Sequence, residues 1–397
     1  YRVDPMLGGD DAFAKLTAAC HERDIRVIVD GVFNHASRGF FQFNDILENG
    51  PDSPWREWFR VNGYPLRAYS EDKQPNYDAW WGMPALPKFN TDHPDVREYL
   101  MRVGEHWIRR GIDGWRLYVP EEITTAGFWE EFRERVKAIN PEAYLVGEIW
   151  HDATDWIARG DRFDGAMNYP LAGALLSFVG GDRIDASVLQ YASYHIAPID
   201  AGGYADAVDA AVFRYPEPAV RSNFNLIGSH DVPRARTVMG GDAGASIMAA
   251  LLLLTLPGAP SIYYGDEIGL AGGKDPANRA AFPWDEASWD HEILGATREL
   301  VSLRRTHAAL RTGAHRRLSP PPGHYGTFLY VFERSLAGER FVVAANPGPR
   351  TETASVPELA GARFDPVWGD EAVAVGGDDG AHLRLAPRSA VIWRVAP

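Results

Sequence analysis

Short apolar runs that end in polar clusters, several of them preceded by a helical stretch, constrain this chain more than any other feature. Residues 10–23 carry Phe13, Leu16 and Cys20 at helical spacing, and the apolar run over 25–29 then ends in Asp30-Gly31-Val32-Phe33-Asn34-His35. The rhythm returns as a helix over 96–109 before a strand over 112–118. It returns again as a helix over 127–139, stopped by Asn140-Pro141, before a strand over 143–147. Further strands are predicted over 163–167, 223–228 and 260–264, and further helices over 243–255 and 291–307. Strands without polar alternation are buried on both faces, as in a parallel sheet covered by helices. Helix alternating with parallel strand, with reactive side chains at the strand ends, is the pattern of a (β/α)8 barrel.

Two segments depart from this rhythm. Residues 36–94 are rich in Gly, Pro, Asn, Trp and Phe, with little periodicity. A loop of that length inside a compact barrel is usually functional. From residue 318 onward the pattern becomes short alternating strands between turn residues, such as Phe341-Val342-Val343-Ala344-Ala345-Asn346, which predicts a separate β-sandwich. The domain plan is therefore barrel over 1–35 and 95–317, an inserted domain over 36–94, and the sandwich over 318–397.

Composition narrows the function. A net charge of −14 argues against nucleic acid as a partner and leaves a neutral substrate unrepelled. No apolar run has membrane-spanning length, since the most apolar stretch, 251–254, is ended by Pro257 and Gly258. Cys20 is the single cysteine, so no disulfide forms within the chain, and a buried structural thiol is expected. A cytoplasmic location is expected over secretion, and homodimerisation stays open. The 13 Trp and 16 Tyr could supply sugar-stacking faces, although most aromatics in a chain of this size fill the core.

The stretch Gly111-Ile112-Asp113-Gly114-Trp115-Arg116-Leu117-Tyr118-Val119-Pro120 places Arg116 and Tyr118 on one side of a buried strand. A guanidinium there is costly unless paired, so Arg116 is expected to face an anionic site.

These residues resemble the second sequence signature of the α-amylase superfamily, glycoside hydrolase family 13. More narrowly they resemble its neopullulanase and cyclomaltodextrinase group. Four further stretches match family signatures in the family's order: Asp30 to His35, Leu86-Pro87-Lys88-Phe89-Asn90, Glu148-Ile149-Trp150 and Ser229-His230-Asp231. The resemblance implies a barrel with an inserted domain B over 36–94 and a C-terminal domain C. It also places Tyr1-Arg2-Val3-Asp4-Pro5 just after the second barrel strand. Six strands are counted here where closure needs eight, so an N-terminal segment of at least about 50 residues is expected upstream.

Retaining glycosidases use two carboxyl groups about 5–5.5 Å apart across the scissile bond, one of them an acid with a raised pKa. The resemblance assigns the acid/base to Glu148 and the transition-state-stabilising carboxylate to Asp231. It assigns hydrogen bonds to the sugar to His35 and His230, and makes Asp30 and Arg116 the buried charged pair that orients the nucleophile. Gly273-Lys274-Asp275-Pro276-Ala277-Asn278-Arg279 resembles a loop whose Asp and Arg grip the substrate, which nominates Asp275 and Arg279. Asn34 fits a structural position that is a calcium ligand in some relatives. Ca²⁺ takes six to eight oxygens. That set cannot be assembled from the sequence, so no cofactor is required, no metal ligand is assigned and calcium stays open.

The pattern places an Asp nucleophile after Arg-Leu, and this chain has Tyr118. Tyr serves as nucleophile in sialidases. With an ordinary pKa of about 10, a phenolate at pH 7 costs about 4 kcal/mol, which Arg116 or a general base would have to offset. Alternatively the phenol, longer than a carboxylate, fills the sugar subsite of a non-catalytic binder. A third reading is a change that abolishes hydrolysis. The leading expectation is a retaining glycoside hydrolase or transglycosylase acting on α-glucosidic linkages of malto-oligosaccharides or related glucans. Its catalytic residues are Tyr118, Glu148 and Asp231, and its partner is an oligosaccharide substrate. The alternative is a catalytically inactive carbohydrate-binding relative.

Overall fold

Four apolar runs form one parallel sheet, in the order β1 (Ile28–Gly31), β2 (Gly114–Leu117), β3 (Tyr144–Gly147) and β4 (Gly165–Ala166). They belong to the first of two units in a computed structural model that describes residues 1–70, 74–191 and 194–396. This unit comprises Tyr1–Ile149 and Asp155–Ala166; the second comprises Trp150–Thr154 and Met167–Pro397. β1 starts three residues later than the apolar run predicts. Asp24 turns the chain in the left-handed region at φ 56°, and the Val27 N–H is taken at 2.7 Å by the Asp113 carboxylate. Helix Pro94–Arg109 buries Val96, Leu100, Met101, Val103 and Ile108 along one stripe. Gly104 lies on that stripe because a Cβ there would meet the Phe132 ring at 2.5 Å, and Phe132 belongs to the packed helix Phe128–Ile139.

Residues 36–94 are held by aromatic packing rather than by a periodic pattern. Phe43, on helix Phe41–Asn49, meets Phe59 and Tyr77 edge-on with centroids 5.0 and 4.9 Å apart. Isolated antiparallel pairings join His35 to Lys88, Phe59 to Phe89 and Ala79 to Pro87.

In the second unit Met167 pairs in parallel with Phe224, and β5 (Phe224–Asn225) with β6 (Ala259–Pro260). Both strands are shorter than the apolar runs predict. Helix Ala243–Thr255 matches its predicted span and starts on Asp242, whose carboxylate accepts from the Ala245 N–H at 2.7 Å. Helices Tyr169–Gly180 and Ala201–Phe213 pack in the same core.

The C-terminal part of this unit is antiparallel. It contains β7 (Ala314–Ser319), β8 (Tyr330–Leu336), β9 (Glu339–Asn346), β10 (Glu352–Val356), β11 (Arg363–Gly369), β12 (Val373–Gly377), β13 (Gly380–Leu385) and β14 (Ser389–Ala396). Five of these pair in the order β11-β14-β9-β8-β7 and three in the order β10-β13-β12. The larger sheet is apolar on both faces. Phe341, Val343, Ala345 and Ile392 join the core of the helices, whereas Val342, Ala344, Val391 and Trp393 join a second core with Leu383 and Leu385 of the smaller sheet.

Candidate active site

The parallel register of β1 and β2 sets Asp30 beside Arg116. The Arg116 guanidinium donates to both Asp30 oxygens, at 2.9 and 3.1 Å, and its other end reaches Glu148 Oε1 at 3.0 Å. The same group lies over the Tyr118 ring, 5.4 Å from its centroid. Arg116 thus meets the anionic surroundings that its burial demands, and it holds two carboxylates and a phenol ring around one cation. In the pair with Asp30 the Arg116 side chain is 13 % exposed and that of Asp30 52 %.

Tyr118 continues the ladder past β2 by donating its N–H to Gly31 O at 3.1 Å. Val119 then turns in the left-handed region at φ 38° and ψ 51°, where a β-branched residue is a genuine outlier. That turn sends the chain into the short helix Pro120–Glu122 and aims the Val119 N–H at Glu148 Oε2, 3.1 Å away. Glu148 itself is 3 % exposed.

His35 is buried beside Tyr118 and Trp80. Trp80 stacks on it with centroids 5.0 Å apart and planes at 19°, and Tyr118 stands edge-on to both rings at 6.1 and 5.6 Å. Burial, reinforced by the Lys88 cation and partly opposed by Glu122, lowers the His35 pKa to about 4, so the imidazole is neutral at physiological pH. Asn34, also buried, donates its amide to His35 Nδ1 at 3.2 Å. Among the described residues no group of three or more His, Cys, Asp or Glu side chains is arranged to hold a metal ion. Nor is any helix among them long and apolar enough to cross a membrane.

The remaining nominated residues lie in the second unit. His230 Nε2 is 3.2 Å from Asp231 Oδ2, Arg279 Nη2 is 3.3 Å from Asp231 Oδ1, and Arg279 Nε is 2.9 Å from Asp275 Oδ2. The sugar-gripping pair nominated from sequence therefore touches Asp231 through Arg279. Two residues that sequence reasoning passed over hold this set. Asn278 donates to the carbonyls of His230 and Val232, each at 2.9 Å. Arg234, wholly buried, donates to Asn278 O at 3.0 Å, to Asp266 Oδ1 at 3.1 Å and to Tyr264 O, and lies over the rings of Tyr263 and Tyr264.

Residues 1–307 match the family profile described as Alpha amylase, catalytic domain. The chain belongs to this family. The α-amylase-family chain is 42 % identical over 314 residues to the cyclomaltodextrinase of Geobacillus thermopakistaniensis, covering 79 % of this chain and 50 % of that protein. It is 36 % identical over 401 residues to neopullulanase 2 of Thermoactinomyces vulgaris, covering 98 % and 63 %. It spans about half the length of the first of these curated relatives. A solved structure, the native form of the Nostoc punctiforme debranching enzyme, superposes with a TM-score of 0.92 at 46 % identity, covering 99 % of this chain and 81 % of that one. The fold class of this α-amylase-family chain is accordingly the (β/α)8 barrel with a C-terminal β-sheet domain.

Proposed function

We propose that this chain carries the reaction centre of a retaining glycoside hydrolase or transglycosylase acting on α-glucosidic linkages. The observation that carries the reading is the Arg116 cluster, in which one guanidinium engages Asp30, Glu148 and the Tyr118 ring. The relatives named cyclomaltodextrinase and neopullulanase support the substrate class. In the first step Glu148 gives a proton to the glycosidic oxygen while the Tyr118 oxygen forms a bond to the anomeric carbon and loses its own proton to solvent or a neighbouring base. The leaving sugar departs with the bonding pair. In the second step water, or a sugar hydroxyl in transfer, attacks the aryl glycoside and gives its proton to Glu148, and Tyr118 is reprotonated. The family resemblance assigns the stabilisation of positive charge at the anomeric carbon to Asp231.

One observation favours the rival reading of a silent carbohydrate binder. Both Glu148 oxygens accept donors here, from Arg116 and from the Val119 N–H, so acting as the acid requires release from one of them. A 2-deoxy-2-fluoromaltosyl fluoride, followed by peptide mass analysis, decides between them. The expected adduct is on Tyr118, with Tyr118→Phe lowering turnover on the order of 10³-fold or more. Labelling on Glu122, or turnover unchanged in Tyr118→Phe, overturns Tyr118 as nucleophile. Absence of any adduct or turnover in a protein that binds maltohexaose supports the binder.

A further inference from the structure

Arg334 on β8 is wholly buried, and it donates to backbone carbonyls, those of Thr255 and, at 3.0 Å, of Gly313. Burial, reinforced by the Arg304 cation, pulls its pKa down to about 9, so its charge is held at a desolvation cost. Its Nε has no hydrogen-bond partner among the described residues, and nor does Nδ1 of His315. The antiparallel register sets His315 of β7 directly opposite Arg334. Burial, and then the same Arg334 cation, lower the His315 pKa to about 3, so the ring is neutral. The Tyr330 hydroxyl lies 3.4 Å from His315 Nε2. With that hydroxyl assigned as the donor, the ring carries its proton on Nδ1. Two buried N–H donors on paired strands are then left without an acceptor among the described residues.

Both residues line a cleft of about 330 Å³ within the second unit. Two further guanidiniums line it, those of Arg221 and Arg311, both on exposed residues. Glu217, which pairs with Arg221, is the one carboxylate among its described lining residues. Cations thus outnumber anions around this cleft, in a chain whose net charge is −14. A water molecule satisfies an N–H but brings no countercharge. An oxyanion does both, since it only accepts hydrogen bonds and its geometry matches the guanidinium fork. Apolar residues complete the lining, among them Val212 and Phe213, the latter 67 % exposed.

We propose that this cleft binds a phosphate group through Arg221, Arg311, Arg334 and His315, with any organic remainder of the ligand lying against Phe213. A doubly charged group is favoured over a carboxylate because three guanidiniums stand around a single Glu. Calorimetry of the full chain with inorganic phosphate and with phenyl phosphate, at constant ionic strength in KCl, tests it. Saturable binding at one site is expected. Arg221→Gln and Arg311→Gln should each weaken it about tenfold, the worth of one hydrogen bond to a charged group. Both side chains are on exposed residues, so the unliganded variants should melt close to the parent; Arg334 is left in place because it holds two carbonyls. Arg363→Gln, an exposed charge outside the cleft, should leave binding within about twofold. Tighter binding of phenyl phosphate than of phosphate, with the difference lost in Phe213→Ala, identifies the ligand as an organic phosphoester; equal binding identifies it as free phosphate. Absence of saturable binding of either probe overturns the site. Binding that neither cleft variant weakens, or that Arg363→Gln weakens as much, also overturns it, since phosphate would then sit elsewhere or respond only to overall charge.

Discussion

At the scale of the residue, His35 is governed by its surroundings. Its folded pKa of about 4 lies below the ordinary 6.5, chiefly through burial. Stability from the neutral imidazole is therefore fully present above pH 6.5 and is lost as pH falls through 4. Urea unfolding across pH 7 to 4 should show up to about 3 kcal/mol of this loss in the wild type. His35→Gln should lack that component; an identical pH profile in the variant would show that another group is responsible. The need of Arg116 for anionic partners was legible from its place on a buried strand, because desolvating a guanidinium has few other solutions. The left-handed turn at Val119 was not. Val ordinarily avoids that conformation, and only the surrounding contacts, including the N–H donated to Glu148, keep it there.

At the scale of elements, the stretch from His230 to Arg234 and the turn Ala277–Arg279 act as one piece. Arg234 pairs with Asp266, whose carboxyl is pushed up to about 7 by burial against the pull of Arg234. The sign is opposite to that of a surface ion pair. A folded value above the ordinary 3.8 means that stability is fully present below pH 3.8 and is lost as pH rises through 7. Three decades of proton affinity at about 1.4 kcal/mol each set an upper bound of about 4 kcal/mol. Asp266→Asn, which keeps an oxygen for Arg234, should flatten the decline between pH 4 and 8 in denaturant titrations; an unchanged decline would exclude Asp266 as its source. Helices here were unevenly legible. Asp242 and the long apolar run announced Ala243–Thr255, but Tyr169–Gly180 has ten of its 12 residues buried and hence no polar stripe to set a period. Asn168 and Pro170 were its only signals, a side-chain cap and a Pro in the first turn. Arg234 and Asn278 gave no pattern at all, since each is a lone polar residue whose partners, backbone carbonyls and for Arg234 also the Asp266 carboxylate, are distant in sequence.

At the scale of the molecule, the C-terminal sheet shares its core with the helices of the second unit, as Phe341, Val343 and Ile392 show. A chain ending at Thr312, before β7, would uncover apolar residues such as Phe178, Leu252 and Leu310. It is expected to associate further than the full chain on size-exclusion chromatography and to bind more of a hydrophobic dye; a monomeric fragment with cooperative unfolding would contradict this. The two-faced burial of β9 has a further consequence, one of reading frame. A strand with one wet face is told by polarity which way each side chain points, and a slip by one residue puts oil in water. β9 has no such instruction over residues 341–345, where a slip trades one dry side for another. Its frame is kept at its two ends. Glu339 holds His307 Nδ1 at 2.9 Å and the Ala309 N–H at 3.3 Å, while Asn346 holds the carbonyls of Arg350 and Ala386, each at 2.8 Å. The spelling of the strand's middle is thus free to drift among small apolar residues, while the two polar letters that bracket it fix where the word begins.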